Sequence, residues 1–118
     1  MTNLANEPLA SVSERSGQVQ PSELKRLHGE LPGWEPLLVE AVPRLRKVYE
    51  FADFIAALAF TNRIGELAEQ ENHHPALLTE WGKVTVSWWT HSLRGIHRND
   101  VIMAARTDRL YDESAAGH

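Results

Sequence analysis

The chain has 118 residues, 42 % of them hydrophobic and 24 % charged, with no cysteine and a formal charge of −4. One domain of this size can bury a core without disulfides or structural metal, and the missing thiols exclude disulfide scaffolds, thiolate metal sites and thiol catalysis. Sixteen acidic against twelve basic residues, with no Lys/Arg run, argue against direct nucleic-acid or anionic-membrane binding. The longest unbroken apolar run, Phe54 to Phe60, covers seven residues, far short of the roughly 20 of a membrane span. No basic start followed by an apolar stretch marks a secretory signal, so a cytoplasmic protein is expected.

Residues 1–20 are rich in Ser, Asn, Glu and Gln, without hydrophobic period, and read as a mobile tail. Residues 113–118 read the same way, leaving a single domain over 21–112. Pro21-Ser22-Glu23 opens a short helix through Leu24, Leu27 and Leu31, which Pro32-Gly33 stops. Trp34–Glu40 and Arg44–Glu50 read as strands around a turn at Ala41 to Pro43. Phe51 to about Gln70 is the strongest helix. Phe54, Leu58 and Ala68 form one stripe, and Ala57, Phe60, Ile64 and Leu67 a second. That apolar arc exceeds what one sheet contact covers, which predicts a further packing partner or subunit.

After His73-His74-Pro75 come Ala76–Trp81, a bend at Gly82-Lys83, and Val84–Thr90. In the last run Val84, Val86 and Trp88 alternate with Thr85, Ser87 and Trp89, the period of a strand. A final helix spans about Arg98 to Tyr111, with Val101, Ala104, Ala105 and Leu110 toward the core. The order α-β-β-α-β-β-α predicts an α+β fold: a four-stranded antiparallel sheet with three helices on one face.

Histidine exchanges protons near neutral pH, and three of the six present, His73, His74 and His91, fall within nineteen positions. His73 and His74 stand where the long helix gives way to a strand, and Pro75 disfavours helical geometry at His74. An antiparallel hairpin returns its far end to its start, so His91 is expected to approach the pair. Glu69 lies one turn earlier. Three imidazoles and a carboxylate suit general acid–base catalysis. A His-His pair also serves commonly as a surface or capping group, and Asp100 in the first turn of a helix is stabilising whatever the function. Trp81, Trp88 and Trp89 read as core or interface residues. Three imidazoles plus Glu69 could also suit zinc or iron, but adjacent histidines diverge on an extended backbone, so no metal site is expected.

Glu69, four residues before His73-His74-Pro75, then Trp81 six after the proline, His91 ten further on and Asp100 nine beyond resembles the signature of the pterin-4a-carbinolamine dehydratase family. Pro32-Gly33-Trp34, Arg46 to Phe51, Asp53-Phe54, Ala59-Phe60 and Trp81 to Val86 are similar to its bacterial branch. The resemblance covers residues 22–111. It implies a four-stranded antiparallel sheet with three helices. It also implies a hydro-lyase that takes 4a-hydroxytetrahydrobiopterin to quinonoid dihydropterin and water, regenerating the cofactor of aromatic amino-acid hydroxylases. On the same basis His73 and His91 form the acid–base pair, His74 holds the pterin, and Glu69, Pro75, Trp81 and Asp100 contribute to substrate binding. No metal or redox cofactor is implied. Implied partners are the pterin, further copies of the chain in a homodimer or homotetramer, and a functional link to phenylalanine hydroxylase. The alternative is a non-enzymatic interaction protein on the same fold, a transcriptional dimerisation cofactor or an assembly factor. The chain departs from the family at His97, where Ser or Thr often caps the last helix, so a weakened or replaced cap is expected there.

Overall fold

The computed structural model describes residues 4–10, 18, 19, 22, 23, 26 and 29–116. Its main elements are β1 (Glu35–Val39), β2 (Val42–Glu50), α1 (Phe54–Glu71), β3 (Ala76–Glu80), β4 (Lys83–Trp88) and α2 (Arg98–Ala116). The strands form one antiparallel sheet in the order β1-β2-β4-β3, the expected α+β arrangement. Two long helices are described rather than three. Of the predicted first helix, Ser22, Glu23 and Arg26 are helical, while Leu24 and Leu27 lie outside the described residues.

The first hairpin turns one residue earlier than predicted. Val39 pairs with Val42 and Leu38 with Pro43, leaving Glu40 and Ala41 as a two-residue turn. Both have positive φ, 51° and 66°, the geometry whose twist matches the flanking strands. Pro43 is admitted to β2 because β4 begins to pair with β2 only at Leu45, so its missing N–H breaks no ladder bond on that side.

Helix α1 starts at Phe54, not Phe51, because the extended Asp53 caps it by accepting from the Ala56 N–H at 2.8 Å. It ends at Asn72, in the left-handed conformation (φ 52°), whose N–H turns back to the carbonyls of Ala68 and Glu69. Ala57, Phe60, Ile64 and Ala68 are buried; Phe54, Ile55 and Leu58 are exposed. The second predicted stripe packs inward, whereas the first is split: Ala68 is buried, but Phe54 and Leu58 face away from the sheet.

Both helices cover one sheet face. The core joins Leu45 and Tyr49 of β2, Val84, Val86 and Trp88 of β4, and Val101, Met103 and Ala104 of α2. Ala105 and Leu110, predicted for the core, are only partly buried. Residues 4–10, part of the stretch whose composition reads as a tail, lie along α2. Leu4 is buried, Glu7 meets the Arg98 guanidinium at 2.9 and 3.0 Å, and Asn99 exchanges two hydrogen bonds with the Ala10 backbone. Helix α2 continues to Ala116, beyond the predicted Tyr111. No helix among the described residues is long and apolar enough to cross a membrane.

A polar knot sits inside this apolar layer. Asp108 of α2 accepts from Trp34 Nε1, Lys47 Nζ and the Tyr49 hydroxyl. Burial, and then the Asp108 carboxylate, push the Tyr49 phenol far above the usual tyrosine range. The folded protein therefore keeps this proton where the unfolded chain releases it, near pH ~10. Below that pH the unfolded and folded states hold the same proton. Above it stability should fall by up to about 1.4 kcal/mol per pH unit, because the unfolded state then binds fewer protons. Urea unfolding of wild type and Tyr49→Phe through this range checks the point: the slope should be shallower in the variant.

Candidate functional site

The site begins at the left-handed turn of Asn72. There the His73 N–H bonds the Ala68 carbonyl at 3.1 Å, which carries the chain off the helix axis. The His73 ring lies parallel to Trp88, with centroids 5.7 Å apart and planes 1° apart. Its Nε2 is 2.6 Å from Asp100 Oδ1. Trp88 is itself fixed by donating from Nε1 to Thr107 Oγ1 at 3.1 Å. One imidazole is thus held by a ring on its face and a carboxylate at its edge.

Asp100 is fully buried and carries several bonds at once. Its Oδ2 accepts from the Thr90 hydroxyl at 2.7 Å and from the His97 N–H at 2.8 Å. With Asp100 as acceptor, His73 Nε2 is the donor of this bond, so that in a neutral ring the lone pair is on Nδ1. The His97 side chain completes the other half of the exchange: its Nδ1 accepts from the Asn99 N–H at 2.9 Å. The residue expected to weaken the helix cap thus replaces it, as a capping box with imidazole in place of hydroxyl.

His74 diverges from His73. Its Nε2 pairs with Glu69 Oε2, and both side chains are well exposed. The left-handed turn between them brings the last turn of α1 alongside the following extended segment. An open groove along α1, lined by Asn62, Gly65, Glu66 and Leu77, includes Glu69 of this pair. Pro75 separates His74 from Ala76, the first residue of β3.

His91 opens a single 3-10 turn, His91–Leu93, and is exposed. Its ring packs on Trp89 at 4.6 Å, and the Arg44 guanidinium covers Trp89 at 3.8 Å. The hairpin register, Ala76 opposite Ser87, returns β4 toward the His73 end as expected. What reaches the His73–Asp100 pair is the hydroxyl of Thr90; His91 follows it in the chain. Among the described residues no hydrogen bond or ring stack joins His91 directly to His73 or His74.

Trp81 is not gathered with the histidines. It sits with Gly82 in the β3–β4 turn, 69 % exposed. That is the opposite end of a five-residue strand, roughly 16 Å at ~3.3 Å per residue. Sequence reasoning gave no role to Thr90, Asn72 or Arg44. Asn directly before a helix-ending His-His was a readable signal for a left-handed cap; Thr90 and Arg44 carry no local signal, since their contacts come from the sheet register. Among the described residues no group of three or more His, Asp or Glu side chains is arranged to hold a metal ion.

Comparison with known proteins bears on this arrangement. The family model described as Pterin 4 alpha carbinolamine dehydratase matches residues 17–110. A Microcystis aeruginosa protein named "Putative pterin-4-alpha-carbinolamine dehydratase" is 53 % identical over 116 residues, covering 98 % of this chain and all of its own. A Chlorobium limicola protein of the same name is 53 % identical over 112 residues, 95 % of this chain and 99 % of its own. Among solved structures, a Brucella melitensis protein titled transcriptional coactivator/pterin dehydratase superposes with a TM-score of 0.70 at 27 % identity, covering 79 % of this chain and 97 % of that one. A pterin dehydratase-like protein described as a RuBisCO assembly factor shares the fold, with a TM-score of 0.56 at 23 % identity over 66 % of this chain and 88 % of its own. With the family model spanning the whole sheet and most of α2, and relatives aligned over almost their full length, the chain belongs to the pterin-4a-carbinolamine dehydratase family.

Proposed function

We propose that this protein removes water from 4a-hydroxytetrahydropterin, giving quinonoid dihydropterin, by histidine acid–base catalysis. The reaction breaks the C4a–O bond: the hydroxyl takes a proton and leaves as water, and a ring N–H gives up a proton as the C=N bond forms. It needs one group that donates and another that accepts. The observation that carries the reading is the His73 ring, fixed at its edge by Asp100 and on its face by Trp88. His91 is the second member of the pair. His74, held by Glu69 at the rim, binds the pterin. The physiological role is regeneration of the pterin cofactor of aromatic amino-acid hydroxylases, phenylalanine hydroxylase among them, by a cytoplasmic homo-oligomer. The exposed Phe54, Ile55 and Leu58 on α1 supply an apolar face for that assembly.

The test is turnover of enzymatically generated 4a-hydroxytetrahydropterin, measured above the uncatalysed rate. Dialysis against a chelator should leave that rate unchanged, because His73 and His74 turn to different carboxylates and do not converge on one point. A loss restored by zinc or iron would overturn the metal-free scheme. An interaction protein is the second reading, favoured by the same exposed α1 face and by the coactivator title of the Brucella melitensis neighbour. A folded wild type with no turnover above background would select it.

A further inference from the structure

Each of the three candidate histidines has a different support. His73 has a buried carboxylate and His74 an exposed one. His91 has neither: among the described residues its ring makes no hydrogen bond. An exposed imidazole on a one-turn 3-10 segment would ordinarily exchange among its staggered rotamers. Here the Trp89 ring lies against it, tilted 44° at 4.6 Å, within the range of a favourable aromatic contact.

Trp89 is in turn held from β2. Leu45 pairs with Trp88, so the next residues outward, Arg44 and Trp89, face each other past the end of the ladder. The guanidinium carbon of Arg44 stands over the Trp89 ring, 3.8 Å from its centroid, a position from which a planar guanidinium can stack on the ring and a lysine ammonium cannot. Arg44 forms no ion pair among the described residues, and its Nε is buried without a hydrogen-bond partner. Among the described residues, what engages the guanidinium is the Trp89 ring.

We propose that Arg44 and Trp89 are positioning residues, which hold the His91 imidazole in the orientation it needs for proton transfer. This rests on the reading of His91 as one of the acid–base pair. The series runs from the end of the β2–β4 ladder to the ring: Arg44 fixes the Trp89 plane, and that plane fixes His91.

Two readouts test it. In the first, the imidazole C–H signals of His91, assigned with a His91→Asn variant, are followed by NMR in wild type, Trp89→Leu, Trp89→Phe and Arg44→Lys. Ring-current displacement of the His91 signals should vanish in Trp89→Leu, persist in Trp89→Phe and diminish in Arg44→Lys. In the second, kcat should fall about tenfold to a hundredfold in Trp89→Leu, the scale of a misplaced catalytic group, with KM changed less. Trp89→Phe should restore most of it, and Arg44→Lys, which keeps the charge but loses the planar guanidinium, should fall between. Unfolding curves of each variant identify any that fail to fold, and the phenylalanine and lysine variants keep the test decisive if the leucine variant does. Unmoved His91 signals in Trp89→Leu would overturn the proposal, as would moved signals with unchanged kcat. Wild-type turnover surviving in His91→Asn would instead overturn the acid–base assignment of His91. The NMR arm would still decide whether Trp89 orients the ring.

Discussion

His73→Ala is expected to lower kcat, measured above the uncatalysed background, by about a hundredfold or more, the usual size of a lost general acid or base. The more revealing change is Asp100→Asn. The carboxylate accepts from the Thr90 hydroxyl and the His97 N–H through Oδ2 and meets His73 through Oδ1. An asparagine can keep its carbonyl oxygen toward Thr90 and His97 and so preserve the helix start. Its NH2 then faces His73 Nε2, which must become the acceptor, and the ring proton moves to Nδ1. In a neutral ring Nδ1 thereby changes from lone pair to N–H without loss of the fold. We expect a kcat deficit similar to that of His73→Ala, again about a hundredfold or more, with a melting transition close to that of wild type. Full activity in a folded Asp100→Asn protein would remove His73 Nδ1 from the mechanism.

The largest stability effect is expected at Asp108, away from that site. Asp108→Ala strands the Trp34 indole N–H and the Tyr49 hydroxyl in the core and releases Lys47, which retains its bond to the Pro32 carbonyl at 2.9 Å. Two buried donors without acceptors should cost about 2–4 kcal/mol. Asp108→Asn, which keeps an acceptor, should cost less. Urea denaturation gives the difference. Turnover at saturating substrate, measured well below the melting temperature, should change little in either variant. A large kcat loss in Asp108→Asn would mean that the knot also shapes the site.

Much of the fold is legible because its signals are local. The alternation from Val84 to Trp88, the Gly82 bend and the Pro32-Gly33 stop identify strands and turns from neighbouring residues alone. Gly33 indeed takes a φ of 87°, with the Lys47 stem 3.0 Å from where a Cβ would stand. Where sequence reasoning slips, a partner distant in the chain decides. The Glu40-Ala41 turn has no glycine or asparagine, so only the pairing of Val39 with Val42 reveals it. Phe54 and Leu58 match a buried stripe by spacing, yet the sheet meets the other side of α1. The site divides in the same way. Of the residues that share the motif spacing, Glu69 meets His74 and Asp100 meets His73. Trp81 shares that spacing and lies at the far end of the hairpin, since linear distance carries no information about which end of a strand a side chain serves.

The docking of residues 4–10 on α2 also constrains the order in which the molecule is built. Its hydrogen bonds, from Ala10 to Asn99 and from Arg109 to Asn6, close loops of 89 and 103 positions. Such contacts raise the contact order and form slowly, because nearly all the intervening chain must be arranged before they contribute. During synthesis residues 4–10 leave the ribosome well before α2, yet cannot find their seat until α2 has emerged. The sheet and α1 can organise before that point, whereas the first turn of α2, which carries Asp100, receives its outer cover only at the end. Completion of the candidate site is therefore a late event in folding.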